Sequence, residues 1–342
     1  MMAAIMAGGD GTRLRPVISA LPKPMAPIAG KPVMEHIICL LKHCGITHLS
    51  ATLRYMPESI TEYFEDGKKF DVRLSYSIEE NPLGTAGGVK AAIGSGYKRD
   101  VLVISGDAAC DFNLHELIEC HRRHKSAVTM ALFPSKEPMG YGLVLTDPKG
   151  LVRSFIEKPN WERVVTNYVN TGIYIISPEA MAMIPENEKS DFAQDLFPAL
   201  MKKGMRIQGC SMDGYWCDIG TPRAYYQCNL DAIDGKLKLY SNSIPAVENQ
   251  LRISPHTAAT HRKSHRARAV LPCRDRALLM RALSENLMEA GADFTDGINL
   301  HTSNGHVRIS ARADKNALQI ESDSARLCGK YANLARFLKD SE

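Results

Sequence analysis

Three glycines within four positions, in Ala7-Gly8-Gly9-Asp10-Gly11-Thr12-Arg13-Leu14-Arg15-Pro16, follow directly on the short apolar run Met2–Met6. With no Cβ in the way, the backbone N–H groups of such a loop can close on an anion. Arg13 and Arg15 add positive charge beside it. The spacing is neither the dinucleotide GxGxxG nor a P-loop, because the closing Lys-Ser/Thr is missing. A second block follows, Leu21-Pro22-Lys23-Pro24-Met25-Ala26-Pro27, then Gly30-Lys31-Pro32. Prolines on both sides restrict the backbone around Lys23, which gives its ammonium a defined position instead of a free swing at the surface. Glycines alone would signal only a turn. Together with the proline-framed lysine they make a far more specific signal for an anion-binding site.

Such a loop needs a strand behind it and a sheet beside it. Over the first 235 residues, short β-rich runs alternate with helical patterns. Strands are expected at 2–6, 47–53, 72–78, 101–105 and 127–133, and helices at 33–44, 57–66, 85–93 and 113–124. That alternation predicts an α/β domain with a mostly parallel sheet. Residues 141–176 are richer in strands (141–146, 151–156, 168–176), with the turn Asp147-Pro148-Lys149-Gly150 between the first two. A helix over 190–202, two short strands and a helix over 221–233 complete the pattern. Ser105-Gly106-Asp107 ends a buried strand; alone, Asp107 would more simply cap a helix. In an open α/β sheet, however, ligands bind outside the carboxyl ends of the strands, which is where Asp107 falls.

The run from Gly8 to Pro32 resembles the signature of the sugar-1-phosphate nucleotidyltransferases, and later blocks match that family in order. Pro82-Leu83-Gly84-Thr85-Ala86-Gly87 is similar to its base-recognition loop, and Ser105-Gly106-Asp107 to the place of a magnesium carboxylate. Glu157-Lys158-Pro159 and Asn170-Thr171-Gly172-Ile173-Tyr174 resemble its sugar-phosphate and sugar contacts. Trp216-Cys217-Asp218-Ile219-Gly220-Thr221-Pro222 resembles the segment with a second metal ligand. The resemblance covers about residues 1–235. It implies a Rossmann-like nucleotidyltransferase domain with a mostly parallel mixed sheet that joins a sugar 1-phosphate to an NTP and releases pyrophosphate.

By that resemblance, Arg13 and Lys23 are the catalytic residues. Gly8, Gly9, Gly11, Thr12, Glu79, Gly84 and Thr85 bind the nucleotide, and Gly142, Glu157, Lys158 and Asn170 bind the sugar phosphate. Asp107 and Asp218 hold Mg²⁺, since two hard oxygen ligands beside substrate phosphates suit that ion. Glu79 precedes the base loop, and a carboxylate can accept the adjacent N1–H and N2–H donors of guanine together. Thymine and uracil present a donor flanked by acceptors, which suits an amide better. GTP is therefore favoured as nucleotide. A glucose-1-phosphate thymidylyl-, uridylyl- or adenylyltransferase is the alternative, and a nucleotide-sugar-binding regulatory subunit without turnover a further one.

Residues 236–269 are rich in Ser, Asn, Pro, His and Arg and are expected to form a basic linker. Residues 236–342 hold 17 Lys and Arg against 11 Asp and Glu, while the rest of the chain holds 25 against 27. Much of the excess lies between Arg252 and Arg281, where no aromatic residue interleaves the charges for stacking, so a nucleic-acid surface is not expected. Residues 270–342 predict a small α+β domain of pattern α-β-β-β-α. Ala290-Gly291-Ala292-Asp293-Phe294-Thr295-Asp296-Gly297 and Val307-Arg308-Ile309-Ser310 resemble the last domain of phosphomannomutase-type enzymes, which points to mannose 1-phosphate as the sugar substrate. The mutase's Gly-Thr-Glu-Pro portion is absent after Ser310, so mutase catalysis is not expected.

Composition narrows the class. The chain has 342 residues, 44% hydrophobic and 23% charged, an ordinary globular balance. No apolar run approaches the roughly 18 residues a membrane helix needs. The N-terminus lacks a basic region ahead of its apolar stretch, so a cytoplasmic protein without a membrane partner is expected. Nine cysteines without CxxC pairs argue against a disulfide framework or zinc ribbon, and Cys39, Cys44, Cys110 and Cys120 are expected to be core or half-buried thiols. A homo-oligomeric assembly is left open by the sequence.

Overall fold

The computed structural model describes residues 1–14, 17–18, 20–135, 140–156, 166–240, 267–272, 283, 287, 298–311 and 317–339. The chain divides into two compact units, Met1–Asn242 and Ser243–Glu342.

In the first unit the strands are β1 (Met2–Met6), β2 (Pro27–Ile28), β3 (Lys31–Pro32), β4 (His48–Leu53), β5 (Arg73–Ile78), β6 (Val101–Ser105), β7 (Ala108–Cys110), β8 (Val128–Pro134), β9 (Leu143–Thr146), β10 (Val152–Ile156), β11 (Tyr168–Ile176), β12 (Ile207–Ser211) and β13 (Trp216–Asp218). The helices are α1 (Val33–His43), α2 (Pro57–Phe64), α3 (Gly84–Ile93), α4 (Leu114–His124), α5 (Pro178–Ala182), α6 (Phe197–Lys202) and α7 (Pro222–Ile233). Nine strands make one sheet in the order β10-β9-β11-β6-β1-β4-β5, with β8 beside β11 and β12 beside β8. The run β6-β1-β4-β5 is parallel, and β11 turns against β6. This is the mixed α/β architecture that the sequence alternation predicts.

The parallel strands are apolar on both faces because helices cover both. Ala3, Ala4 and Ile5 of β1 and Val101, Leu102 and Val103 of β6 have no exposed surface. Each parallel strand therefore delivers its carboxyl end to one edge of the sheet: β1 runs into the glycine loop, and β6 into Gly106-Asp107. Because β11 is antiparallel to β6, its first half brings Asn170–Gly172 to that same edge. A small second sheet adds Asp218, since β13 pairs with β7 in the register Asp218 opposite Ala108, one residue from Asp107.

The helix expected over 190–202 opens as a π-turn, Phe192–Leu196, before α6 begins. Pro198 in the first turn of α6 has no N–H to continue an α ladder, and the Asp191 carboxylate accepts the Ala193 and Gln194 N–H groups instead. Helix α7 starts as Thr221-Pro222 suggests, with the Thr221 hydroxyl accepting the Ala224 N–H at 3.2 Å.

The second unit carries a four-stranded antiparallel sheet, β14 (Ala267–Pro272), β15 (Ile298–Thr302), β16 (Gly305–Ala311) and β17 (Ala317–Ser322), in the order β14-β17-β16-β15. Helix α8 (Ala325–Lys339) buries Leu327, Tyr331, Leu334 and Ala335. The expected basic linker is entered by structure at both ends. Leu237 is buried in the first unit, where the Lys238 N–H donates to Asp111, and residues 267–269 belong to β14. Alternation at Ala269 and Leu271, both buried, is hidden in the sequence by the flanking arginines. The expected helix over 274–290 lies outside the described residues except for Leu283 and Leu287, which are helical and buried. Among the described residues, no helix is long and apolar enough to cross a membrane.

Candidate active site

At the carboxyl edge of the parallel strands, one ammonium holds two carboxylates. Lys23 Nζ lies 2.8 Å from Asp107 and 2.7 Å from Asp218. Lys23 is only 7% exposed, on a short 3₁₀ turn, Lys23–Met25, whose entry Pro22 is extended and whose second residue is Pro24. Backbone bonds from Met25 N–H to Pro22 O and from Ala26 N–H to Lys23 O lock that turn. The proline frame does what the sequence suggests: it aims the side chain. Asp107 is further held by the Ser105 hydroxyl, which donates to it at 2.6 Å.

Burial by itself would lower the Lys23 ammonium, but the charges of Asp107 and Asp218 and the hydrogen bonds to both outweigh it and hold it above its usual value. For Asp107, burial pushes the carboxyl up, yet the Lys23 charge and the bonds from Lys23 and Ser105 hold it below the usual carboxylate range. Asp107 is therefore ionised at neutral pH. Two carboxylates that converge on one cation form a hard oxygen donor set of the kind Mg²⁺ takes when substrate phosphates complete its shell, so the residues fit the implied ion.

The glycine loop packs against this cluster. Gly11 has φ +55°, and a Cβ there would lie 3.0 Å from Lys23 Cβ. Gly11 is thus required twice over, by conformation and by the close approach of the lysine. A Cβ on Gly220 would stand 3.0 Å from both the Arg13 guanidinium and an Asp218 oxygen, so that glycine leaves room for both side chains. Arg13 and Thr12 are exposed on a single 3₁₀ turn anchored by buried Leu14. A Cβ at Gly9 would meet no atom of the protein within 4 Å, whereas one at Gly8 would come 3.7 Å from Glu79.

The residues expected to meet the base are placed differently from those expected to meet phosphate. The Glu79 carboxylate accepts the Leu83 N–H at 3.0 Å and leans over Gly88, where a Cβ would lie only 2.3 Å from its Oε1. One of its oxygens is thus already engaged in shaping the loop. Gly84, at φ +74°, abuts Ser190 O, which accepts the Ala86 and Gly87 N–H groups. The Thr85 hydroxyl donates to Asp191 and accepts the Phe192 N–H, so it joins α3 to the π-turn. Among the residues expected to meet the sugar, the Asn170 amide oxygen accepts from Gly172 N–H and the Tyr174 hydroxyl, and the Asn170 N–H donates to Gly142 O. Gly142 and Asn170 are therefore neighbours. Glu157 and Lys158 lie outside the described residues.

Two residues outside the motifs and one inside them, none given a role of its own by the sequence, also shape the site. Arg54, just past β4, pairs with Asp10 of the glycine loop at 2.6 Å. Asp111 accepts the Tyr215 N–H at 2.6 Å and the Lys238 N–H at 2.8 Å, fixing the strand that carries Asp218. The Trp216 indole donates to Thr171 O and packs edge-on against Tyr141. Asp111 lies four residues past the Ser105-Gly106-Asp107 motif and Trp216 opens the segment that carries Asp218, whereas Arg54 stands near no motif and has no sequence signal.

The pattern of the nucleotidyl transferase family matches residues 2–235. The chain belongs to that family. Membership makes this nucleotidyltransferase chain an enzyme, in line with the sequence resemblance, and the family pattern stops short of the second unit. A UTP--glucose-1-phosphate uridylyltransferase of Synechocystis is 35% identical over 261 residues, covering 72% of this chain and 67% of its own length. A mannose-1-phosphate guanylyltransferase of Mycobacterium tuberculosis is 33% identical over 234 residues, covering 68% of this chain and 65% of its own. The chain thus spans about two thirds of these relatives' length. Among solved structures, HddC from Yersinia pseudotuberculosis complexed with GMP-PN is 28% identical at a TM-score of 0.58, covering 67% of this chain and 98% of that one. A putative glucose-1-phosphate thymidylyltransferase from Bacillus anthracis, 22% identical at a TM-score of 0.61 over 68% of this chain and 95% of that one, shares the fold.

Proposed function

We propose that this chain transfers a nucleotidyl group from an NTP to a sugar 1-phosphate, with GTP and mannose 1-phosphate as the favoured pair, giving GDP-mannose and pyrophosphate. The observation that carries the reading is the Lys23 ammonium held between Asp107 and Asp218 beside a glycine loop at the carboxyl edge of the sheet. An oxygen of the sugar phosphate attacks the α-phosphorus in line. The new O–P bond forms as the bond to the β-phosphate bridging oxygen breaks, and pyrophosphate leaves with that electron pair. Both reactants are anions, so the work of the protein is positioning and charge neutralisation. Arg13 and the Gly8–Gly11 backbone, with Thr12, hold the triphosphate; Lys23 meets charge at the α-phosphate. Asp107 and Asp218 are the residues that would hold Mg²⁺, which when bound neutralises phosphate oxygens. Gly142, Asn170, Glu157 and Lys158 are assigned to the sugar phosphate.

Guanine is supported by Glu79, which keeps one carboxylate oxygen beyond its bond to Leu83 N–H, by the guanylyltransferase relative and by the guanine nucleotide in the HddC complex. The uridylyltransferase relative favours a second reading, UTP with glucose 1-phosphate. A pyrophosphate-release screen crossing the NTPs with mannose, glucose and N-acetylglucosamine 1-phosphates tests both. GTP with mannose 1-phosphate should give the highest kcat/KM. UTP with glucose 1-phosphate on top would install the second reading, and release with no pair would make the chain a binding subunit. The resemblance of residues 271–342 to a mutase domain is assigned no catalysis; that unit is proposed to serve assembly or stability.

A further inference from the structure

Three neighbouring strand ends set Gly8, Arg54 and Glu79 side by side. Strands β1 and β4 run parallel with Met6 opposite Thr52, and β4 and β5 with Leu53 opposite Ile78. The ladder carries on past the strand ends, since the Ala7 N–H donates to Thr52 O and the Glu79 N–H to Leu53 O. The same registers therefore put Gly8, Arg54 and Glu79 in one row, and residues in one row of a parallel sheet share a face. A Cβ at Gly8 would lie 3.7 Å from both Arg54 Cβ and Glu79 Oε1, so the missing side chain leaves a gap flanked by both. Glu79 Oε2 is the oxygen that accepts the Leu83 N–H, which leaves Oε1 beside that gap. Arg54 is half-exposed, and among the described residues its carboxylate partner is Asp10 of the glycine loop, 2.6 Å away. That pair engages one terminal nitrogen of a flat fork with several N–H donors, so donors remain for a ligand.

From this row we infer that Arg54 is a specificity-determining residue that donates to the O6 and N7 acceptors of guanine, next to the N1–H and N2–H that Glu79 accepts. The inference rests on the guanylyl-transfer reading above. Around its edge guanine carries N2–H, N1–H, O6 and N7 in succession, two donors followed by two acceptors. A carboxylate and a guanidinium in adjacent positions are the complement, and arginine on O6 and N7 is a favoured way to read guanine. Adenine has an amino donor where guanine has O6, so it would turn an N–H toward the arginine. Uracil and thymine have no N7. Each of these bases leaves a guanidinium donor without an acceptor, which costs more than the contact alone. Asp10 acts as the positioning residue: by holding the fork before the nucleotide arrives, it reduces the side-chain freedom lost on binding.

Altered bases test this first on the parent protein. 7-Deaza-GTP has C–H in place of N7 and keeps O6 and both donors. With mannose 1-phosphate, kcat/KM for GTP should exceed that for 7-deaza-GTP roughly fivefold, mostly through KM. Arg54→Met keeps the apolar stem and loses every donor. It should lower kcat/KM for GTP by about tenfold and bring the ratio of the two nucleotides close to one. A residue that only braces the glycine loop would slow both nucleotides equally and leave the ratio as it was. Should Arg54→Met not fold, Arg54→Gln, shorter and with one donor group, takes its place in the same comparison. A parent ratio of one, or a ratio unchanged in the variant, would overturn the inference while a preference for GTP over UTP still stood. A parent that prefers UTP would overturn the guanylyl reading, and this inference with it.

Discussion

The two units use polar side chains for opposite ends. In the first, charges from three separate segments converge: Lys23 comes from a proline-framed turn, Asp107 from the end of β6 and Asp218 from β13. In the second, the described polar side chains brace one small antiparallel sheet, with Arg268 of β14 reaching Gln319 and Glu321 on the neighbouring strand. The Asp323 carboxylate accepts the His306 N–H, the Ser322 hydroxyl donates to His306 O, and the Thr302 hydroxyl donates to Gly305 O, all around the β15–β16 hairpin. A parallel sheet gathers strand ends at one edge and must cross back between strands, which leaves loops there free to carry chemistry. An antiparallel hairpin spends its polar groups on its own turn. Convergence of distant charges, more than their number, distinguishes a site from a well-made turn.

The sharpest way to break this comparison is at Lys23. Lys23→Ala should lower transition-state stabilisation by about 2.7–4 kcal/mol, the size of losing one oxyanion donor, seen as turnover slowed roughly a hundredfold to a thousandfold. Steady-state rates within threefold of the parent would reduce the clamp to an ordinary ion pair. Next in size is Gly84→Ala. A left-handed φ with a Cβ 2.5 Å from Ser190 O should destabilise the first unit by roughly 1–3 kcal/mol, read as a lower thermal midpoint. A midpoint equal to the parent's would mean the loop shifts freely.

The pH dependence sharpens the electrostatic half. Asp107, held below its ordinary 3.8, contributes stability above that pH, and the contribution is lost as pH falls through its folded value. Lys23, held above 10.5, contributes below that pH and loses its effect as pH rises through its folded value. In Lys23→Met, burial, the largest influence on Asp107, is no longer offset by the lysine, only by the Ser105 hydroxyl and a backbone bond; the carboxyl rises, so acidification should stabilise that variant relative to the parent. The gap in thermal midpoint between the two should narrow as pH falls from neutral toward 3. A gap independent of pH would remove the ion pair from the account. Smallest is Asp323→Ala in the second unit, about 1 kcal/mol for the lost hairpin bond, with nucleotidyl transfer unchanged. A loss of turnover there would tie the second unit to the chemistry.

Much of this was legible in the residues. The alternation of apolar strands and helices specified a mixed α/β sheet, because strands buried on both faces must be apolar throughout and helices on the surface amphipathic. The glycines after β1 and the prolines around Lys23 marked the phosphate end, since backbone freedom and backbone restriction both leave a direct trace in residue type. The role of Thr85 left no such trace. Its motif suggested a nucleotide contact; that its hydroxyl also bonds to Asp191 and Phe192, more than a hundred positions away, no motif foretold. Asp111 and Arg54 were silent for the same reason, because each gains its meaning from a partner the sequence does not place beside it.

By itself, then, the sequence determined which groups this protein has for binding phosphates and which backbone segments present them, because those follow from local stereochemistry. Only the tertiary structure decided that Lys23, Asp107 and Asp218 share one point in space. That depends on β6 running parallel to β1 and on the register that sets Asp218 opposite Ala108. Register and strand order are decided by the packing of the whole sheet, so no residue type at any one of these positions could have announced them.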